Sequence, residues 1–314
     1  MNPNSDSRVM TVLSIVLAAS VLLETLLFRL FARGGVYFIN DETPSIVKNG
    51  YTSLVFTGNT LFNFAALIAL LILGLIAMHA WMKRPDPFYI MLSSAVGAVG
   101  LIGLSMMLGL SGPFLSVAYY SASSLTLVGV FALVVRGKAR LPLKIFVLLM
   151  GLSYLVIYLF KGFGLSGPAE VGIGSGSLYA LGEWLSVIAF LVMIFLLPNR
   201  LDWSTVIIAT IGMLLALGMT FGNADSVPLM STWAFGLTLS LPFIFYAVAL
   251  WVVIAFVLSA MKNGEVTLAT GVLLVMLGHR SIPLTYFNDV VLIGLLFVSM
   301  YSRSLDYRLI PAKA

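Results

Sequence analysis

The sequence predicts an all-α protein: a polytopic bundle of about ten transmembrane helices, forming a single integral membrane domain over residues 1–314. Three observations carry this expectation. Hydrophobic residues make up 61% of the chain and charged ones only 9%, whereas soluble domains hold about a quarter charged residues. Apolar runs of spanning length follow one another from end to end, with a mean hydropathy of +1.08. No polar run is long enough to fold as a separate domain.

Taken in order, residues 1–8 are polar and an apolar run begins at Val9. It continues past Phe28, too long for a signal-peptide core and without a small-residue cleavage site, so it reads as a retained first helix, 9–31. Further runs fall at 54–81, 88–110, 113–135, 142–160, 177–197, 203–222 and 232–261. The remaining run, 266–302, is too long for one helix. Gly278 and Pro283 interrupt it, and Pro suits the first position of a helix. Two helices, 266–279 and 283–302, joined by a tight turn are therefore expected. A single tilted helix or a re-entrant hairpin is the alternative, because 266–278 is short.

Charge placement tests the count of ten. With ten helices, one side collects Arg8, Lys83, Arg84, Arg136, Lys138, Arg140, Lys144, Arg200, Lys262, Arg303, Arg308 and Lys313. The other side keeps Arg29, Arg33, Lys48, Lys161 and Arg280. Twelve against five places both termini in the cytoplasm and the chain in the cytoplasmic membrane, by the positive-inside rule. The formal charge of +5 thus reflects membrane orientation and does not point to nucleic acid. Connections are mostly short apart from two outer loops, 32–53 and the glycine-rich 161–176.

Glycines punctuate the bundle. Gly109-Leu110-Ser111-Gly112-Pro113 recurs as Gly164-Leu165-Ser166-Gly167-Pro168, both at outer turns, which hints at duplicated hairpins or is coincidence in a Gly/Ser/Leu-rich chain. Gly97, Gly100 and Gly103 mark a face for close helix packing. Gly172-Ile173-Gly174-Ser175-Gly176 falls in an outer loop and reads as a flexible connection, not a phosphate cradle.

The chemistry concentrates at Gly278 to Asp289, where His279, Arg280, Asn288 and Asp289 interrupt apolar sequence. Ionisable groups are costly in hydrocarbon, so such residues point to a site. On the ten-helix topology, Glu24, Asn63, Glu183 and Asp289 lie several residues inside helix ends facing the outer side. His279 and Arg280 form the outer turn of the last hairpin. At 1.5 Å per residue this puts the group roughly 0–14 Å below the outer surface. The structural alternative for each is ordinary: Glu24 pairs with Arg29 or Arg33, Glu183 is wet, and Asp289 with Arg280 is an ion pair fixing the hairpin.

Several classes are excluded. Without Cys there are no disulfides, iron–sulfur clusters or thiolate chemistry. His79 and His279 fall at opposite faces, about 30 Å apart, and cannot sandwich one haem. No HExxH, Walker A loop, GxSxG or Asp-rich prenyl-diphosphate motif occurs, and no metal site is expected. No helix carries regularly spaced Arg or Lys, which argues against voltage sensing.

The leading expectation is the membrane anchor of a respiratory oxidoreductase that exchanges electrons and protons with quinone near the outer face. A quinone slot needs apolar walls and a few protonatable or hydrogen-bonding groups. Glu183, Asp289 and Glu24 are the candidates for proton handling; His279, Arg280, Tyr286 and Asn63 are those for the head group. Redox cofactors would belong to partner subunits gripping loops 32–53 and 161–176. The layout resembles the polysulfide-reductase type of quinone-interacting anchor. That family has eight core helices and a glycine-rich start to an early helix, where this chain has Phe56-Thr57-Gly58-Asn59. The resemblance implies an outer-leaflet quinone site built between helices. It also implies proton transfer by Glu183 and Asp289, and head-group contact by His279 or Arg280. Two other readings stand beside it: a ten-helix secondary transporter, which needs midplane groups and repeated halves, and a structural subunit in which Arg280 and Asp289 merely pair.

Overall fold

The computed structural model describes residues 67–72, 87–110, 112–162, 184–197, 201–221, 231–234, 237–240, 243–281 and 289–308, together with Val12. These residues are helical throughout apart from turns and one two-stranded ribbon. In chain order the elements are α1 (67–72), α2 (Pro87–Met107), α3 (Pro113–Arg136), α4 (Leu141–Gly162) and α5 (184–192), which tightens into a 3₁₀ turn at Met193–Leu196. Then follow α6 (Trp203–Phe221), β1 (Ser231–Ala234), β2 (Leu237–Ser240), α7 (Phe243–Lys262), α8 (Val266–Ser281) and α9 (Asp289–Arg308).

The turns are built by sequence-local chemistry. After α2, Gly109 takes φ +93° while its N–H donates to the Met106 carbonyl and that of Leu110 donates to Ser105. This is a Schellman close, which an L side chain resists and glycine permits. Pro113 then opens α3 at the position where its missing N–H costs nothing. The same device recurs after α7: Gly264 has φ +72°, with Gly264 N–H donating to Met261 and Glu265 N–H to Ala260.

Among the described residues, helix α9 lies at the centre. Every residue from Val291 to Ser299 is buried, so this helix is apolar and covered all round. It pairs antiparallel with α8, and their backbones touch where Gly271 meets Gly294. It also packs on α3 and α4. Around it run the hairpins α2–α3, α3–α4, α6–α7 and α7–α8. Helix α6 packs on α7, joined to it by a 3.1 Å hydrogen bond from the Trp251 indole Nε1 to Thr210 Oγ1.

Several hydroxyls inside the bundle are satisfied along their own helices. Ser123, Thr126 and Thr210 return their hydroxyls to the carbonyl four residues back, at 2.8–2.9 Å. The outside, by contrast, is apolar. Phe114 is 82% exposed, and Leu101, Leu125, Val128, Ile207, Ile211 and Leu215 are exposed as well. Helices α2, α3, α4, α6, α7 and α9 contain 19–24 residues. Among the described residues, α3 is the helix long and apolar enough, by length and composition, to cross a membrane.

Three expectations are corrected. The run 232–261 is not one helix: β1 and β2 form a hairpin in the register Ser231↔Ser240 to Ala234↔Leu237, and α7 starts only at Phe243. Hydropathy made this run look continuous. Yet Leu237-Thr238-Leu239-Ser240 alternates with the two-residue period of a strand, and Pro242 opposes backward extension of the helix. In the last hairpin α8 continues to Ser281 and α9 begins at Asp289, later than the expected start at 283. Of the three glycines in α2, Gly100 and Gly103 pack against Leu67 and Leu71 of α1, whereas Gly97 faces open space.

Candidate functional site

The two ends of the bundle differ chemically. One end gathers the α3–α4 turn, the N-terminus of α6, the α7–α8 turn and the last turns of α9. Gly137 lies against Ser302, with no room for a Cβ: one would stand 2.6 Å from the Ser302 hydroxyl. The Tyr301 hydroxyl donates to Glu265 Oε1 at 2.8 Å, tying α9 to the start of α8.

An ion network closes this end. Asp202 caps α6, its Oδ1 accepting the Thr205 backbone N–H at 3.1 Å. Lys262, in the last turn of α7, donates from Nζ to Asp202 Oδ1 and Oδ2 at 2.9 and 2.8 Å. It also donates to Ser204 Oγ and Thr205 Oγ1 at 2.5 and 2.9 Å. The Lys262 ammonium, with the hydroxyls of Thr205 and Ser204, holds the Asp202 carboxyl well below the usual carboxylate range. The pair is solvent-exposed, so it acts as a clasp between α6 and α7 and not as a buried reactive group. Arg136, Lys138, Arg140 and Lys144 stand at the same end, on or beside the α3–α4 turn.

The opposite end holds the described part of the candidate site. His279 and Arg280 fall in the last turn of α8, and Asp289 is the first residue of α9. The antiparallel hairpin therefore brings these three positions to one end. Asp289 sits at the start of its helix and not six residues into it, because α9 begins later than the position of Pro283 suggests. His279 and Arg280 belong to a helix and not to the turn. Glu24, Asn63, Glu183 and Tyr286 lie outside the described residues, as do His79, the loop 32–53, residues 163–176 and the second copy of the glycine pentapeptide. Lys161, assigned to that outer loop, is in α4.

Sequence reading missed a tyrosine cluster in the half of α3 and α4 nearer this same end. Tyr119 and Tyr120 meet edge to face with centroids 5.2 Å apart, Tyr120 and Tyr158 lie 6.0 Å apart, and Tyr154 and Tyr158 6.1 Å apart. Tyr119, Tyr154 and Tyr158 are buried. Helix α5 runs antiparallel to α4, with Ser153 and Ser186 hydroxyls 3.3 Å apart and Phe146 against Phe190. Trp184, in α5, has an enclosed indole N–H with no hydrogen-bond partner among the described residues. The signal was present in the Tyr154/Tyr158 spacing of four, which puts both rings on one helix face.

Chemically, this half of the bundle supplies aromatic faces, hydroxyls and an indole donor inside apolar walls. The α8–α9 end adds one imidazole, one guanidinium and one carboxyl by residue type. No group of three or more His, Asp or Glu arranged to hold a metal occurs among the described residues. Comparisons with protein-family models, with curated proteins and with solved structures return no match.

Proposed function

We propose that this chain is the membrane-anchor subunit of a respiratory oxidoreductase complex. It lies in the cytoplasmic membrane and exchanges electrons and protons with quinone at the end of the bundle bearing His279, Arg280 and Asp289. The observation that carries the reading is the placement of those three residue types at one end of a buried helical hairpin, opposite the basic turns. Ten helices follow if 9–31 and 54–81 span as their apolar length suggests. The exposed apolar residues on α2, α3 and α6 support immersion in lipid, since a water-facing surface would carry charge instead.

Reduction of a quinone to a quinol takes up two electrons and two protons. The electrons come from redox cofactors of partner subunits docked on this end; the protons pass through side chains of this chain. Asp289 and Glu183, with Glu24, relay them, while His279, Arg280, Tyr286 and Asn63 hold the head-group oxygens. Carboxyl and imidazole groups are suited to this work because each takes up and releases a proton.

The test is gentle purification from the native membrane with identification of co-purifying proteins and extracted lipids by mass spectrometry. Redox subunits together with bound quinone support the anchor. A lone chain without quinone refutes it and directs the work to transport assays.

A further inference from the structure

We propose that the basic turn between α3 and α4 binds the phosphate head groups of anionic phospholipids; the inference rests on the membrane placement just argued, and not on quinone chemistry. Three cations, Arg136, Lys138 and Arg140, are exposed within five residues, and Lys144 follows one turn into α4. Immediately beside them, Val135 and Leu141 are 56% and 69% exposed. Cations bordered by bare aliphatic side chains match a phospholipid, whose phosphate sits at the level where its acyl chains begin.

The turn is seated, not loose. Gly137 rests against Ser302 of α9, its N–H donating to the Leu133 carbonyl at 2.9 Å. Ala139 is buried, and the Lys144 ammonium reaches back to the Val135 carbonyl at 3.1 Å. The cations are thus displayed from a fixed backbone, which lowers the ordering cost of holding a ligand. Arg303, Asp306 and Arg308, in the last turns of α9, lie at the same end. A soluble acidic protein would answer the charge but not the flanking Val135 and Leu141, so a lipid is the better fit.

The experiment uses the full chain in detergent, offered equal amounts of phosphatidylglycerol and phosphatidylcholine and read by native mass spectrometry. Retention of phosphatidylglycerol over phosphatidylcholine is expected. The Lys138→Gln/Arg140→Gln double variant lowers that preference roughly thirtyfold, on the usual worth of two juxtamembrane cations. Leu141→Ser weakens retention with all charges kept. Soluble glycerol phosphate fails to compete at concentrations equal to the lipid. An unchanged preference in the double variant, or full competition by glycerol phosphate, overturns the proposal. Alkaline carbonate extraction of native membranes separates the two levels: a chain that stays with the lipid but shows no anion preference loses only this inference. A chain released by carbonate loses the membrane placement as well.

Discussion

Gly271 and Gly294 bring the backbones of α8 and α9 into direct contact: a Cβ on Gly294 would stand 2.6 Å from the Gly271 carbonyl oxygen, and one on Gly271 2.8 Å from that of Gly294. Within lipid there is little hydrophobic drive between helices, so close approach of small residues supplies much of their adhesion. The hairpin that carries His279, Arg280 and Asp289 is held at this crossing. Gly294→Ala is expected to destabilise by about 1–3 kcal/mol, the usual range for overpacking a tight interface. Gly97→Ala, with nothing within 4 Å of its added methyl, is expected to be neutral or slightly stabilising. Thermal unfolding of the two variants in the same detergent checks the contrast.

The Schellman turn at Gly264 joins α7 to α8 and sets where the clasp residue Lys262 meets Asp202. An L residue at φ +72° is strained, so Gly264→Ala costs about 1 kcal/mol, and Gly264→Asn less because Asn tolerates this region. The ordering of the three unfolding midpoints, Gly above Asn above Ala, is the readout.

The Asp202–Lys262 clasp gives the stability a pH dependence of definite sign. The folded carboxyl has a depressed pKa, so its contribution is fully present above the unfolded value of about 3.9 and is lost as pH falls through that value toward the folded one. Unfolding midpoints of the wild type are expected to fall below about pH 4 more steeply than those of Asp202→Asn. Because the pair is exposed, the difference shrinks when salt is added.

Asp289→Asn and Arg280→Gln test the candidate site itself. If Asp289 and Arg280 serve the quinone site proposed above, loss of a proton-handling group typically costs about 10²–10⁴-fold, and quinone turnover is expected to fall by about a hundredfold for Asp289→Asn. Arg280→Gln is expected to raise the quinone KM more than it lowers kcat, since a head-group contact acts mainly through binding. Equal unfolding midpoints establish that neither change acts through the fold.

Much of this architecture was readable from apolar run length. Helices α2, α3, α4 and α6 fall within a few residues of the predicted spans, because a strongly apolar stretch of about twenty residues has few other outcomes. Gly278 and Pro283 correctly announced two helices in 266–302 but misplaced their ends, and with them Asp289: breaker residues mark a boundary only to within a turn. The ribbon Ser231–Ser240 was invisible to hydropathy, which does not distinguish a short apolar strand from a helix. The crossing of Gly271 with Gly294 and the meeting of Tyr120 with Tyr158 are relations between helices, and no local pattern in one helix specifies its partner. For the candidate site, the sequence singled out His279, Arg280 and Asp289, positions that the helix bounds bring to one end of the α8–α9 hairpin; it offered no sign of the tyrosine cluster of α3 and α4.

The most direct test of the central claim is photolabelling of the protein in its native membrane with an azido-quinone, followed by peptide mapping of the attached label. Label is expected on peptides covering the end of α8 and the start of α9, about His279 to Asp289, and is expected to be lost when excess unmodified quinone competes. Label confined to the basic end near Arg136–Lys144, or incorporation that excess quinone does not reduce, would contradict it.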